Sequence, residues 1–219
     1  MRAERMTVEL PTRYARMPRH VGIIPDGNRR WADQRGLPRG EGYRPGVDAA
    51  LRVFSELERL GISEISVYGF TQENVHRPPE QRKAFQGACV EAVARLSELN
   101  AELRTVGDSG TSMFPPALLP YTERVRFGKG GTKVNLLINY SWKWDVGMLQ
   151  ETGRLGSHDV TPIDLVIRWG GRSRLSGFLP IQSVYADICV LDGLWPDSTG
   201  NDVREALEWY QEQDPTRGG

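Results

Sequence analysis

Short apolar segments alternate with amphipathic segments along the chain. Closely spaced apolar residues predict strands near residues 21–25, 64–70, 102–106, 133–139, 163–167 and 187–191. After the first strand, an apolar residue recurs every three or four positions, at Val47, Leu51, Phe54, Leu57 and Leu60. This spacing predicts a helix, and Gly61 is placed to end it. Alternating strands and helices indicate an α/β fold, a six-stranded, mostly parallel sheet covered by helices.

Length and composition indicate a single domain. A chain of 219 residues with 39% hydrophobic content can bury one sizeable core. Residues 1–18 contain four arginines and two prolines, so we expect a loosely ordered arm over residues 1–17. The domain is then expected to span residues 18–213, followed by a tail over residues 214–219.

Charge and cysteine content narrow the function classes. Lys+Arg and Asp+Glu both number 28, which gives no reason to expect nucleic acid or an acidic membrane as a partner. Cys89 and Cys189 lie in apolar surroundings and are expected to be buried free thiols. No apolar segment approaches the roughly 18 residues of a membrane span. We therefore expect a cytoplasmic protein with no stable membrane insertion, and any anion site must be local.

The first strand ends in a group of polar residues that suits a diphosphate. Asp26, Gly27 and Asn28 follow the strand, and then come Arg29, Arg30 and Trp31. Guanidinium groups match phosphate oxygens, whereas a carboxylate repels phosphate unless a divalent cation lies between them. Asp26 beside phosphate therefore implies Mg²⁺. The alternative is an Asp-Gly turn followed by a solvated basic patch.

A second polar group follows the fifth strand. Its glycines allow a tight turn, and its arginines and a serine can surround another diphosphate: Arg168, Gly170, Gly171, Arg174 and Ser176. The alternative is a surface turn with solvated arginines. Asp187 opens the next strand and is expected to complete a metal site with Asp26. Two anion sites at adjacent strand ends predict two phosphorylated substrates that meet.

Six segments resemble, in order, the motifs of the cis-prenyltransferases, the family typified by undecaprenyl diphosphate synthase. They are HVGIIPDGNRRWA, VYGFTQENVHRP, INYSWKWDV, DLVIRWGGRSRLSGFLP, VYADI and LWPD, and they extend from about residue 18 to residue 197. The resemblance implies a homodimer of α/β subunits, dependence on Mg²⁺, prenyl diphosphate substrates, and an apolar tunnel for the isoprenoid tail.

The resemblance also implies roles for individual residues. Asp26 assists metal-supported departure of the diphosphate, and Asn74 and Thr71 act in proton removal. The allylic diphosphate is held by Gly27, Asn28, Arg30, Arg39 and Arg77, with Arg29, Trp31 and Tyr43 beside them. The second diphosphate is held by Arg168, Arg174 and Ser176. The last residues, Arg217 to Gly219, fit a tail that in some members reaches a substrate phosphate of the partner subunit.

Several residues depart from the family pattern. Tyr43 replaces a His, Val75 a Trp, Arg29 a Gly, and Asp187 a Glu. A phenol that is neutral near pH 7 can only hydrogen-bond where an imidazolium would carry charge. The residues expected to line the tunnel are Gly69, Ile138, Trp142 and Trp169, and the last three are bulkier than usual. Together with shortened segments near residues 80–100 and 146–160, this bulk predicts a short product.

These observations leave three hypotheses. The first is an irregular, lavandulyl-type synthase that couples dimethylallyl diphosphate head to middle with a second allylic diphosphate. The second is head-to-tail cis coupling with isopentenyl diphosphate that stops at ten or fifteen carbons, and geranyl diphosphate is a further candidate substrate. The third is a non-catalytic partner subunit, which the retained acid and arginines argue against. A nucleotide-binding domain is disfavoured because the chain lacks GxGxxG and a Walker lysine.

Overall fold

One seven-stranded sheet forms the centre of the fold. The computed structural model describes residues 14–214. The strands are β1 His20–Ile24, β2 Glu64–Tyr68, β3 Ala101–Val106, β4 Val125–Arg126, β5 Thr132–Leu137, β6 Leu165–Trp169 and β7 Asp187–Leu191. The helices are α1 Asn28–Gln34, α2 Tyr43–Arg59, α3 Pro79–Leu96, α4 Trp142–Thr152 and α5 Gly200–Gln211. Shorter 3-10 helices include Gln72–His76 and Trp195–Asp197.

The sheet is parallel except at one edge. Its order is β4-β3-β5-β2-β1-β6-β7, and only the β3–β4 pair is antiparallel among the described strands. The predicted α/β class is confirmed, and all six predicted strands form. The prediction of six strands misses β4, because a two-residue edge strand has no readable periodicity.

Strand order places a crevice beside β1. From β1 the chain continues to β2 on one side, whereas β6 and β7 lie on the other side. Strand order reverses at this position, and ligands of open α/β sheets bind outside the carboxyl ends of such strands. Ile24 pairs with Arg168, so the ends of β1 and β6 lie level with each other. The two predicted anion sites are therefore neighbours.

The two faces of the sheet have different cores. On one face, the strands pack against α2, α3 and α5 through residues such as Phe54, Leu57, Val93 and Leu207. On the other face, an aromatic cluster contains Tyr68, Tyr140 and Phe178. The amphipathic pattern of α2 explains its position, because its apolar positions are the buried ones.

A buried polar network lies at the amino end of β1 and β2. The His20 ring contacts the Ser66 hydroxyl at 2.9 Å and the Thr161 carbonyl oxygen at 2.9 Å. Glu64 accepts hydrogen bonds from the Asn135 amide at 2.7 Å and the Thr161 hydroxyl at 2.9 Å. Because its members are hydrogen-bonded to one another, the network tolerates burial.

This network predicts acid sensitivity of the fold. Burial lowers the pKa of His20, although the Glu64 carboxylate opposes the effect. The unfolded chain, with a histidine pKa near about 6.5, therefore binds the proton more tightly than the folded chain. We expect the free energy of unfolding to fall as the pH drops from about 7 through 6.5. Urea unfolding should show a smaller fall for His20→Gln, and equal falls would contradict this role.

The described part of the amino-terminal arm packs on α5. The Arg16 guanidinium donates to the Tyr210 carbonyl oxygen at 2.6 Å, and the Arg16 backbone exchanges two hydrogen bonds with Gln211. Arg16 therefore packs on the domain, and the arm boundary at residue 17 stays a prediction. The tail from Arg217 to Gly219 lies outside the described residues. Within residues 14–214, no helix has the length and apolarity needed to span a bilayer.

Candidate active site

A polar cavity of about 350 Å³ lies at the carboxyl ends of β1, β2 and β6. It brings together eleven residues that the sequence predicts as a site: Asp26, Gly27, Asn28, Arg29, Arg30, Tyr43, Thr71, Asn74, Arg77, Arg168 and Ser176. Four arginines face the carboxylates of Asp26 and Glu73 in the lining, so the cavity has an excess of positive charge in a chain with no net charge. This charge suits an anionic ligand.

Arg168 contacts residues of both predicted anion sites. It is buried near the end of β6 and donates from Nη2 to the Asp26 carboxylate at 2.9 Å. Its Nη1 donates to the Ser176 hydroxyl at 3.0 Å and to the Arg174 carbonyl oxygen. Its Nε is buried with no partner among the described residues. A guanidinium fixed in this way is pre-organised to face an anion.

Arg30 supports Asp26 from the other side. Its Nη2 lies 3.3 Å from the Asp26 carboxylate and donates to the Gly170 carbonyl oxygen at 3.0 Å. Gly170 has φ +87°, and a Cβ there would lie 2.3 Å from Arg30 Nη2. Glycine therefore both permits the turn after β6 and leaves room for the guanidinium.

Thr71 and Asn74 form a local pair after β2. Thr71 precedes the 3-10 helix Gln72–His76, and the two side chains cap each other's backbone amides. The Asn74 amide oxygen accepts from the Thr71 amide nitrogen at 3.3 Å. This arrangement fixes both side chains at the cavity wall, where the sequence predicted them.

Tyr43 and Arg77 contact each other at the wall of the same cavity. Arg77 Nη1 donates to the Tyr43 hydroxyl at 2.8 Å, and burial lowers the pKa of this guanidinium. The Tyr43 ring stacks on Phe85 with centroids 4.5 Å apart and planes 4° apart. Tyr43 thus orients Arg77, which the sequence predicts to bind a diphosphate, and supplies no charge of its own.

An apolar cavity of about 80 Å³ adjoins the polar one. It lies between α2, α3 and the sheet, and it includes Gly69 and Ile138. Cys89 also lines it, and burial raises the pKa of this thiol to about 12, so the wall stays neutral. A narrow apolar space behind an anion site is the arrangement that a prenyl diphosphate requires.

Three predicted substrate-binding residues lie outside both cavities. The Trp31 indole donates to Asp197 at 2.7 Å. Arg39 is exposed and pairs with Asp33 at 3.0 Å, a contact that raises the pKa of Arg39. Arg174 is also exposed, although its carbonyl oxygen accepts from Arg168. The structure therefore places their side chains around the site and not on its wall.

Two predicted tunnel residues do not line the apolar cavity. Trp142 begins α4, and 44% of it is exposed. Trp169 is buried but packs edge-on against Trp195, with ring centroids 4.8 Å apart. Trp169 lies in the same core as Ile138 and Cys89 but off the cavity wall, and Trp142 lies on a helix and not on the sheet, so motif position alone did not locate either side chain. The bulk of these indoles fills other parts of the core and surface.

The predicted metal pair is not formed within one chain. Asp187 begins β7, whereas Asp26 follows the end of β1. Val190, and not Asp187, lies level with Arg168, the residue that contacts Asp26. At about 3.3 Å per residue, Asp187 lies about 10 Å before that level. Its carboxylate pairs instead with Arg16 at 3.6 Å.

Asp26 alone remains suited to Mg²⁺ among the predicted acids. Its side chain is 32% exposed at the cavity wall. Within residues 14–214, no three His, Cys, Asp or Glu side chains cluster as a metal site. Mg²⁺ commonly binds one or two carboxylates together with substrate phosphates. The donor set therefore fits a cation that binds jointly with a diphosphate.

Sequence reasoning missed several residues of the site. Glu73 lines the polar cavity, and Tyr68 and Phe85 line both cavities. The Tyr68 hydroxyl donates to the Ser176 carbonyl oxygen at 2.9 Å, and burial, followed by the Glu73 charge, raises its pKa. Tyr68 ends β2 and Glu73 lies in the polar stretch after it, both within the motif VYGFTQENVHRP, so their position at the strand end was a usable signal. Phe85 lies within α3, and no local pattern marks it.

Comparisons with known proteins agree with this geometry. A family model described as putative undecaprenyl diphosphate synthase matches residues 24–218. The ditrans,polycis-undecaprenyl-diphosphate synthase of Escherichia coli K12, described as specific for (2E,6E)-farnesyl diphosphate, is 34% identical over 92% of this chain and 90% of its own length. The enzyme of the same description from Aliivibrio fischeri is 32% identical over 89% and 86% of the two chains.

A solved structure shares the fold. It is lavandulyl diphosphate synthase from Lavandula x intermedia in complex with dimethylallyl diphosphate, and it matches with a TM-score of 0.75. The match covers 92% of this chain and 98% of the other, at 23% identity. The fold, the matched family model and the undecaprenyl diphosphate synthase relatives show that this chain is a prenyltransferase of the undecaprenyl diphosphate synthase family, the cis-prenyltransferases.

Proposed function

We propose that the protein couples two prenyl diphosphates into a short product, by head-to-middle condensation of dimethylallyl diphosphate with Mg²⁺ as cofactor. The observation that carries this proposal is the position of Asp26. It lies between the Arg168 and Arg30 guanidinium groups, in a polar cavity that adjoins a narrow apolar one. This arrangement can hold a diphosphate at one end of a substrate and an isoprenoid tail at the other.

The chemistry begins with ionisation of the allylic substrate. The bond between its first carbon and the diphosphate oxygen breaks, and the electron pair leaves with the diphosphate. Mg²⁺ held by Asp26 would neutralise the charge that develops on this leaving group. Arg30 and Arg77 supply fixed positive charge beside it, and such pre-organised charge stabilises the transition state more than the ground state.

Bond formation then consumes the allylic cation. The double bond of the second substrate supplies the electron pair for the new carbon–carbon bond, which leaves a tertiary cation on that substrate. Loss of an adjacent proton restores a double bond. We assign proton removal to the region of Thr71 and Asn74, because both line the cavity. Arg168 and Ser176 would hold the second diphosphate, with Arg174 near the mouth.

The apolar cavity supports a short product. It is narrow, about 80 Å³, and Ile138 and Phe85 are among the side chains that line it. Such a space suits a short isoprenoid tail, whereas the undecaprenyl diphosphate synthase relatives make a long one.

Head-to-tail coupling with isopentenyl diphosphate is the second candidate. Arg168 and Ser176 are hydrogen-bonded to each other at 3.0 Å beside Asp26, an arrangement that suits any second diphosphate. Head-to-middle coupling is favoured because the allylic side of the site differs from the family pattern. Tyr43 there contacts Arg77 and stacks on Phe85. A changed nucleophile requires a changed surface around the reacting carbons.

One assay separates the two candidates. The purified protein is incubated with Mg²⁺ and dimethylallyl diphosphate alone, and then with isopentenyl diphosphate added. We expect a branched product of two isoprene units from dimethylallyl diphosphate alone, identified by mass spectrometry and NMR after phosphatase treatment. Product that forms only when isopentenyl diphosphate is present would favour head-to-tail coupling. Absence of product under every condition would contradict the proposed function.

We also propose a homodimer. An exposed apolar segment precedes the edge strand β7, with Ile181, Val184 and Tyr185 exposed at 54%, 68% and 66%. Apolar side chains clustered at a sheet edge are typical of protein interfaces. A second copy of the chain would cover them, as the family resemblance implies.

Ile138→Ala is expected to lengthen the tail that the cavity accepts. Ile138 is fully buried, and its Cδ1 lies 3.0 Å from the position of a Cβ at Gly69. Truncation should shift products or primer preference by about one isoprene unit and destabilise the fold by about 2–5 kcal/mol. Mass spectrometry of products, with a thermal melt to verify folding, checks both effects. A folded variant with unchanged products and primers would remove Ile138 from the length limit.

A further inference from the structure

The two cavities share a junction. Six residues line both of them: Pro25, Asn28, Tyr43, Tyr68, Gly69 and Phe85. A substrate with its diphosphate in the polar cavity and its tail in the apolar cavity must cross this junction. The first isoprene unit of any allylic substrate therefore lies at the junction, and only longer tails extend beyond it.

The aromatic pair Tyr43 and Phe85 forms one side of the junction. The rings are in contact, with centroids 4.5 Å apart and nearly parallel planes. Tyr43 is the first residue of α2, and Phe85 lies in the second turn of α3, so the pair joins these two helices. Phe70 packs edge-on against Phe85 with centroids 5.6 Å apart. These contacts fix the pair in position.

Another part of the junction is formed by backbone. Gly69 has no side chain, and a Cβ there would lie 2.8 Å from the Leu137 carbonyl oxygen. Because the sheet holds this backbone, the strand side cannot retreat from a longer tail. The aromatic pair consists of side chains, so a substitution there, unlike one in the backbone, can change the width of the junction.

Arg77 connects the aromatic pair to the diphosphate site. Its Nη1 donates to the Tyr43 hydroxyl at 2.8 Å, and its guanidinium carbon lies 5.1 Å from the Phe85 ring centroid. Arg77 also lines the polar cavity. One cation thus contacts both rings and reaches the space for the leaving group. Binding of a diphosphate to Arg77 would hold the pair in its stacked arrangement.

From this geometry we infer that the Tyr43–Phe85 pair determines which allylic primers the enzyme uses. The inference rests on the proposed function, in which the diphosphate and tail occupy the two cavities. The stacked pair admits a single isoprene unit at the junction and disfavours primers whose tails must pass it. Phe85 and Tyr43 are therefore specificity-determining residues, distinct from the groups that assist ionisation.

The test compares kcat/KM for geranyl and dimethylallyl diphosphate in the full-length enzyme. Phe85→Leu removes the stack but keeps an apolar side chain. We expect it to raise the geranyl to dimethylallyl ratio at least about tenfold. Tyr43→Phe keeps the ring and loses the hydrogen bond to Arg77, so its ratio should change less. Phe114→Leu is the matched control, because Phe114 is buried in the core and lines neither cavity.

Failure of this inference differs from failure of the proposed function. A wild-type enzyme with no activity on any prenyl diphosphate would contradict the proposed function. An active wild type with an unchanged ratio in folded Phe85→Leu would overturn the role of the aromatic pair. If Phe85→Leu does not fold, Phe85→Met replaces it, because methionine is flexible and close to leucine in volume. The same ratio is then expected. A rise of equal size in Phe114→Leu would also overturn the inference.

Discussion

Asp26→Ala should lower turnover by at least about 10²-fold to 10³-fold while leaving the fold intact. Asp26 is partly exposed at the cavity wall, so its contribution to packing is small. Its carboxylate is the group expected to hold Mg²⁺ against the leaving diphosphate. Steady-state rates at saturating Mg²⁺, with circular dichroism for the fold, check this result.

Two further variants sharpen the interpretation. Asp26→Asn keeps an acceptor for the Arg168 guanidinium but removes the charge, so it should be nearly as slow as Asp26→Ala. Asp48→Ala is the matched control, because Asp48 pairs with Arg95 on the surface outside both cavities. Loss of such a pair costs about 0–1 kcal/mol and should leave the rate unchanged. Near-normal turnover in Asp26→Ala would refute the role assigned to this carboxylate.

Arg168→Ala should weaken both substrates, because Arg168 contacts Asp26 as well as Ser176. Loss of a charged hydrogen bond costs about 1.5–3 kcal/mol, which is about tenfold to a hundredfold in affinity. Arg174→Ala should raise the KM of the second substrate alone, since its side chain lies outside the Asp26 contacts. Initial-rate measurements with each substrate varied in turn separate these effects.

The loop after β6 supplies a matched control for this pair of variants. Arg172 is exposed, like Arg174, and lies two residues before it. Arg172→Ala should leave both KM values within about twofold of wild type, less than about 0.5 kcal/mol. If Arg174→Ala raised both KM values equally, the assignment of Arg174 to the second diphosphate would be wrong. If Arg168→Ala affected only one substrate, the two anion sites would be more separate than the structure indicates.

Local sequence patterns were sufficient for most of the fold. The recurrence of apolar residues from Val47 to Leu60 predicted α2, and apolar runs predicted every strand except β4. The site was predictable where a functional residue directly follows a strand, as Asp26 and Thr71 do. In a parallel sheet, the carboxyl ends of neighbouring strands lie on the same side of the sheet, so residues that follow them come close together.

The remaining site residues depend on information that local patterns do not hold. Asp187 was predicted to lie near Asp26 because both adjoin strands. Asp187 begins its strand, however, and therefore lies toward the amino ends of the parallel strands, whereas Asp26 follows the carboxyl end of β1. Trp142 and Trp169 were assigned to the tunnel by motif position, and their side chains point elsewhere. Phe85 joins the site through its contact with Tyr43, 42 positions earlier in the sequence. Only the packing of α2 against α3 brings these rings together.

The most direct test of the short-product claim is a comparison of product lengths across primers. The enzyme is incubated with Mg²⁺, excess isopentenyl diphosphate and either dimethylallyl, geranyl or farnesyl diphosphate, and the dephosphorylated products are sized by mass spectrometry. The narrow apolar cavity predicts that products stop at two or three isoprene units and that farnesyl diphosphate, which already has three, is not extended. Efficient conversion of farnesyl diphosphate into products of undecaprenyl length would contradict the account.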